Sequence, residues 1–511
     1  MYKEMIVVGD TNKRIVVYPI IVLVILCGFY LRVSNVFDQV PWDGEDFMAG
    51  RILESKDIVI NNSFPGVSKP LWQLMVAFGY RVMGFRLFVG SLWAVYFGTA
   101  IIALIYKLCQ RLFNSDVGFY AALFTASMLT FIHVSRLPRA PMASLFFMLF
   151  AVNLYLKFAK KGWIRVREMF LVGVAAGFTI TLHSMYFIPS YLILGLWELL
   201  REIRLSSDIP TKIIRVFRGV SVLTVAMFIP VSVAEIVVRV SRMYGITAAS
   251  WMGGAFLQMF DPFPPAKYIS DYFSYIETFV FTDGLLVAVL FLISFIVSLL
   301  QLKRTSSSSI FRGLTLFLVP LILLELSIPT KGLALKKYYI IFMAGVPVLI
   351  GYSIGMIVSR LRFSTTHMFT GTALRSVLVV VVLGWGYLRA QPRIEWTSGI
   401  DQTYNIATKL DYEYIYYAME LGDFYFSTEN NAHLFTSEVS KTLLPTGKNI
   451  IISTVTGSCD CSVSDKICSE DIRKFRHVDK DKLKVIDLVQ GYGPSLQGPI
   501  RPYRCHVLYR Y

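Results

Sequence analysis

Long apolar runs alternate with short polar connections over most of the chain, and each run has the length a bilayer crossing needs, roughly 17 to 25 residues. Their approximate cores are 15–32, 87–106, 117–134, 142–157, 169–183, 186–200, 216–235, 284–302, 311–328, 338–358 and 375–389, which predicts about eleven transmembrane helices. After residue 390 the pattern turns polar and is punctuated by turn residues. There 404–421 reads as a helix, while 449–455, 484–489 and 505–509 alternate like strands. The expected fold class is therefore a polytopic α-helical membrane protein with a small α/β C-terminal domain. Residues 1–390 form the transmembrane module, with larger loops at 33–86 and 236–283, and residues 391–511 form the second domain.

Composition agrees with the pattern. The 511 residues are 55% hydrophobic and 16% charged, with a mean hydropathy of +0.57, too apolar for an ordinary soluble protein. The first run is too long for a signal-peptide core and has no small-residue cleavage site before Arg32, so it is expected to be a retained helix. A net charge of +16 would suit a nucleic-acid partner, but its location excludes that reading. Lys107 and Arg111, Lys157 to Arg167, Arg201 to Arg218, Lys303 to Arg312 and Arg360 to Arg375 all fall in alternate connections. By the positive-inside rule these connections are cytoplasmic. The N-terminus is then cytoplasmic, and the 33–86 loop, the 135–141 turn, the 236–283 segment, the 329–337 turn and the C-terminal domain are extracytoplasmic. In a eukaryotic cell the corresponding compartment is the endoplasmic reticulum. Cys459, Cys461, Cys468 and Cys505 on that face predict disulfides rather than metal ligation, with the pairing open.

The outward loops hold the polar chemistry. Asp38, Asp43, Glu45, Asp46, Glu54 and Asp57 are interleaved with Trp42, Phe47 and Trp72, side chains suited to the membrane interface. The 135–141 turn carries Arg136 and Arg139, whose planar forks suit phosphate; the alternative is that both snorkel to lipid headgroups. His183 lies near the outer end of the fifth helix, as an anion donor or as a structural donor to a carbonyl. Lys336, Lys337 and Tyr339 precede the tenth helix, and lysines there run against the positive-inside trend. Aromatics from Tyr268 to Phe279 recur at helical spacing, either packing on lipid or lining a groove for a polyprenyl tail. Glu325 is an intramembrane carboxylate that needs protonation or a partner.

Several of these segments together resemble the GT-C glycosyltransferases, in the branch of the protein O-mannosyltransferases and the lipid A aminoarabinose transferase. The resemblance rests on Asp43 with Phe47, Ala49-Gly50-Arg51, Lys69-Pro70-Leu71 and Gly84-Phe85-Arg86. This chain departs from the pattern at Gly44, where an Asp-Glu pair is usual, at Leu71, which replaces a proline, and at residues 140–142, which lack an aspartate. The resemblance implies an integral-membrane glycosyltransferase taking its sugar from a polyprenyl phosphate donor, with an acceptor hydroxyl on a protein, lipid or glycan attacking with inversion. It implies Asp43 as general base, although Asp43 also reads as a helix N-cap. Arg136, Arg139, His183, Lys336, Lys337 and Lys69 are implied to hold the phosphate and Tyr339 to line the substrate site, while Glu45 and Asp46 could add a divalent cation. The competing class is a non-enzymatic lipid transporter or envelope scaffold. It predicts ionisable residues along a midplane path, whereas here they collect at the outer surface.

Overall fold

The computed structural model describes residues 8–36, 52–61, 69–86, 88–159, 164–182, 187–205, 208–243, 283–302, 308–327, 340–361, 368–394, 400–417, 432–434, 448–456, 459, 461–463, 481–494 and 500–511. Every apolar run carries a helix. In chain order the helices are α1 (Val8–Val33), α2 (Ile52–Ile60), α3 (Pro70–Met83), α4 (Phe88–Leu112), α5 (Ser115–Ser127), α6 (Leu129–Arg136), α7 (Pro141–Ala159) and α8 (Val166–Leu182). They continue as α9 (Phe187–Leu205), α10 (Ile209–Met243), α11 (Leu285–Leu302), α12 (Ser308–Ser327), α13 (Ile340–Met343), α14 (Gly345–Leu361), α15 (Met368–Ile394) and α16 (Ile400–Ala407). Among the described residues five helices are long and apolar enough to cross a membrane, and the α5–α6 pair, bent by 55°, makes a sixth. The chain is a multi-pass membrane protein.

Two features depart from the simple pattern. The run at 117–134 breaks at Met128, whose extended backbone (ψ 127°) separates α5 from α6. The loop at 33–86 is partly helical: α2 and α3 pack on each other, and α3 buries Trp72, Val76, Ala77 and Tyr80 against α4 and α8.

The bundle is built around α4, which touches α1, α5, α6 and α7. In lipid there is no hydrophobic drive between helices, so close backbone approach matters, and small residues four apart allow it. On α8, a Cβ added at Gly173 would lie 2.5 Å from the Ala226 Cβ, and one at Gly177 would lie 2.3 Å from the Met227 carbonyl oxygen, so α10 seats directly on this stripe. Gly351 and Gly355 on α14 do the same against Ala121 and Val117 of α5. Further along, α9 is keyed to α12 by the Trp197 indole N–H donating to Thr315 Oγ1 at 2.8 Å.

The C-terminal region is a five-stranded sheet of β1 (Tyr414–Tyr417), β2 (Ala432–Leu434), β3 (Asn449–Thr456), β4 (Lys484–Pro494) and β5 (Ile500–Arg510), ordered β2-β1-β3-β5-β4. The β1 pairings with β2 and β3 are parallel, and β5 runs antiparallel to both β3 and β4. The expected strands at 449–455, 484–489 and 505–509 are present and longer. The expected helix over 404–421 is corrected: α16 ends at Ala407, and Tyr414–Tyr417 pairs as a strand because Tyr-Ile-Tyr-Tyr fits a pleated, buried surface. Alternation places Ile450 and Ile452 on one face, under Tyr404 and Ala407 of α16, and Ile451 on the other with Val485 and Val507. Cys459 is bonded to Cys505 of β5, and Cys461 is also in a disulfide.

Candidate active site

The polar centre of the described structure is the end of the bundle where α6 turns into α7. Three helix termini meet there, and each leaves backbone groups without intrahelical partners. The first is the C-terminus of α5, opened by the break at Met128. Arg32, fully buried at the end of α1, donates from Nη2 to the Thr125 carbonyl at 2.9 Å and from Nη1 to those of Ala126 at 3.1 Å and Gly28 at 2.8 Å. Its Nε reaches Ser135 Oγ at 3.2 Å. All four bonds end on neutral oxygens.

The second terminus is the start of α6. Asp283, just ahead of α11, accepts from the Thr130 backbone N–H at 3.0 Å and also holds the Thr130 hydroxyl, placing an anion where the helix dipole favours one. The third is the end of α1. Arg136 Nη1 donates to the Leu31 and Arg32 carbonyls at 3.2 and 3.1 Å, and Nη2 to that of Ser34 at 2.5 Å. Arg136 thus fixes the point from which the acidic loop departs.

Arg139 follows on the turn. Arg136 and Arg139 are 5% and 3% exposed, so both lie inside the protein rather than reaching out to lipid headgroups. Pro138 rests on Gly90 of α4, where a Cβ would come within 2.9 Å of the proline ring. Lys69 is half-buried at the N-cap of α3. One turn further, Gln73 is fully buried, and among the described residues neither of its amide atoms has a hydrogen bond. Lys56 of α2 lies over the Phe85 ring, 5.5 Å from its centroid.

Asp43, Glu45, Asp46, His183, Lys336, Lys337 and Tyr339 lie outside the described residues, as do the aromatics from Tyr268 to Phe279; Glu325 is on α12, its side chain likewise outside. The elements that flank several of them are placed. The acidic segment leaves from α1, whose end Arg136 holds. α8 runs antiparallel to α7, with Phe147 and Phe178 ring centroids 5.2 Å apart, so Leu182, just before His183, returns to the end where α7 begins. α13, which Lys336 to Tyr339 lead into, packs on α6 and α7. Among the described residues no three His, Cys, Asp or Glu side chains cluster as a metal site.

Arg32, Gln73, Thr130 and Asp283 were missed as candidates by sequence reasoning. Arg32 carried a usable signal, being a lone polar side chain at the edge of an apolar helical run.

Comparison with known proteins follows the same outline. Residues 67–233 match the family model described as dolichyl-phosphate-mannose-protein mannosyltransferase. ArnT from Cupriavidus metallidurans, solved with bound undecaprenyl phosphate, superposes with a TM-score of 0.59 at 12% identity, covering 98% of both chains. The archaeal oligosaccharyltransferase AglB from Archaeoglobus fulgidus, solved with an inhibitory peptide and a dolichol-phosphate, gives a TM-score of 0.50 at 11% identity over 82% of this chain. The chain spans 64% of that enzyme's length. No curated protein matches by sequence. Fold and family match agree on the class, a multi-pass membrane protein with the GT-C fold. Within that fold the chain resembles the protein O-mannosyltransferases and ArnT.

Proposed function

We propose that the chain is a glycosyltransferase that moves a sugar from a polyprenyl phosphate donor to an acceptor hydroxyl at the extracytoplasmic membrane surface. The observation that carries this reading is the correspondence along 98% of both chains with a protein that binds undecaprenyl phosphate, combined with two buried arginines at the α6–α7 turn. Arg139, Lys69, His183, Lys336 and Lys337 then surround the donor phosphate, and Tyr339 lines its path. Arg136 contributes by holding α1 and the start of the acidic loop. Arg32, whose bonds all end on neutral oxygens, adds positive potential at the same end.

In the reaction the acceptor oxygen attacks the anomeric carbon as the bond from that carbon to the phosphate oxygen breaks. The electron pair leaves with the polyprenyl phosphate, and the acceptor proton passes to the Asp43 carboxylate. Glu45 and Asp46 flank that base. Cations aimed at the leaving phosphate stabilise charge that grows in the transition state; losing one such donor costs about 10² to 10³ in turnover.

The test uses purified protein in nanodiscs with a panel of radiolabelled polyprenyl phosphate sugars, reading release of free polyprenyl phosphate. Asp43→Asn should lower turnover by about 10² to 10⁴ while the protein stays folded. Equal turnover would remove Asp43 from the role of base. Absence of turnover with every donor would sink the enzyme reading in favour of a transporter or scaffold.

A further inference from the structure

At the other end of α7, a helix of 19 residues and so about 28 Å long, the described residues line a half-open cavity of about 240 Å³ between α8, α9 and α10. Its polar wall is Glu198, Arg201, Glu202, Arg215 and Arg218, and Gly219 completes it. Arg201 bridges the two acids, with Nη2 2.6 Å from Glu198 Oε1 and 2.5 Å from Glu202 Oε1. Glu198 is fully engaged, since Oε2 also accepts from the Tyr155 hydroxyl at 2.9 Å and from Arg201 Nε at 3.1 Å. Gly219 permits this, because a Cβ there would lie 2.7 Å from Glu198 Oε1.

Glu202 is different. It is 1% exposed, and among the described residues its Oε2 receives no hydrogen bond. A buried carboxylate oxygen left this way is costly, which favours an occupant that brings a donor. Arg215 and Arg218 also line the cavity; three residues apart on α10, they share one helix face and can grip a phosphate together. Three arginines against two glutamates leave the wall with one net positive charge. Beside them on α10, Ile213, Ile214 and Phe217 are 64%, 66% and 73% exposed, a surface suited to acyl chains.

We infer that this cavity binds the headgroup of an anionic phospholipid that carries its own hydroxyl donor. The phosphodiester lies on Arg215 and Arg218, a headgroup hydroxyl donates to Glu202 Oε2, and the chains follow the apolar face of α10. This is a lipid site at the end of the bundle opposite the proposed glycosyl-transfer centre, and it does not depend on that reading.

Native mass spectrometry of delipidated protein titrated with phosphatidylglycerol, phosphatidic acid, phosphatidylcholine and free glycerol 3-phosphate tests it. Phosphatidylglycerol should bind at least about tenfold more tightly than phosphatidylcholine, which has no headgroup donor. Arg215→Ala with Arg218→Ala should abolish that preference. Glu202→Gln should weaken phosphatidylglycerol about tenfold and leave phosphatidic acid unchanged, a readout independent of whether the double variant folds. Equal binding of all lipids, or a cavity filled by water alone, would overturn the site. Free glycerol 3-phosphate binding as tightly as the lipid would overturn the lipid assignment.

Discussion

The two ends of the bundle bury arginine in opposite ways. Near the α6–α7 turn, Arg32 satisfies its guanidinium with three backbone carbonyls and one hydroxyl, all neutral. At the far end, Arg201 is held by two carboxylates. Both arrangements meet the hydrogen-bonding demand of a buried cation, but only the second cancels its charge. Carbonyls freed by a helix break therefore let a protein keep positive potential in a low-dielectric region without a counter-ion. A carboxylate pair instead makes a local structural lock.

Breaking the lock should have the largest effect. Arg201→Met strands two buried acids and should destabilise the protein by about 3 to 5 kcal/mol, measured by thermal unfolding in detergent. Adding Glu198→Gln and Glu202→Gln should recover most of that loss, because the charges then leave together. Arg32→Met should cost about 3 kcal/mol, from orphaned carbonyls at Thr125 and Ala126, and neutralising acids elsewhere should restore nothing. A full rescue of Arg32→Met by a second neutralising change would erase the distinction between the two ends.

Asp283→Asn sharpens the comparison from the acidic side. Its carboxylate caps α6 through Thr130, so the change should cost about 1.5 to 3 kcal/mol and raise hydrogen exchange at the Thr130 amide first. The smallest effect belongs to Asp208 at the start of α10, whose carboxyl is held below the usual range by hydrogen bonds from the Thr211 side chain and backbone. A depressed carboxylate stabilises the fold above its unfolded pKa, and that contribution disappears as pH falls through the folded pKa. An acid titration of Asp208→Ala should accordingly lack a small step at the acidic edge of stability that the parent shows.

Much of the fold could be read from hydrophobic run length, since every run carries helix, although 117–134 and 338–358 are each divided in two. The break at Met128 could not, because residues 123–132 are mostly apolar and a window registers composition rather than backbone direction. The carbonyls that the break frees are taken up by Arg32, over ninety residues earlier, which the pattern marks only as the end of a run. The 404–421 stretch misled for a related reason: Tyr414–Tyr417 pairs with β2 and β3, and those partners lie farther along the chain than any local signal reaches. At the site, Arg136 and Arg139 were legible as cations on a turn. The assignment of Arg136 donors to α1 carbonyls was not, because a carbonyl's availability depends on where its helix ends. Arg201 was read as one more basic residue in a positive-inside connection, although Glu198 and Glu202 at helical spacing already announced a pair.

The order of the sheet carries a consequence for biogenesis. β5 lies between β3 and β4, so β4, though made earlier, has no neighbour in the sheet until residues 500–510 have been synthesised. Cys459 likewise waits 46 residues for Cys505. The β2, β1 and β3 strands can pair as soon as they are made, whereas the β5–β4 half of the sheet closes in one late event. Until then its half-formed edges are exposed to whatever surveillance machinery attends the nascent chain.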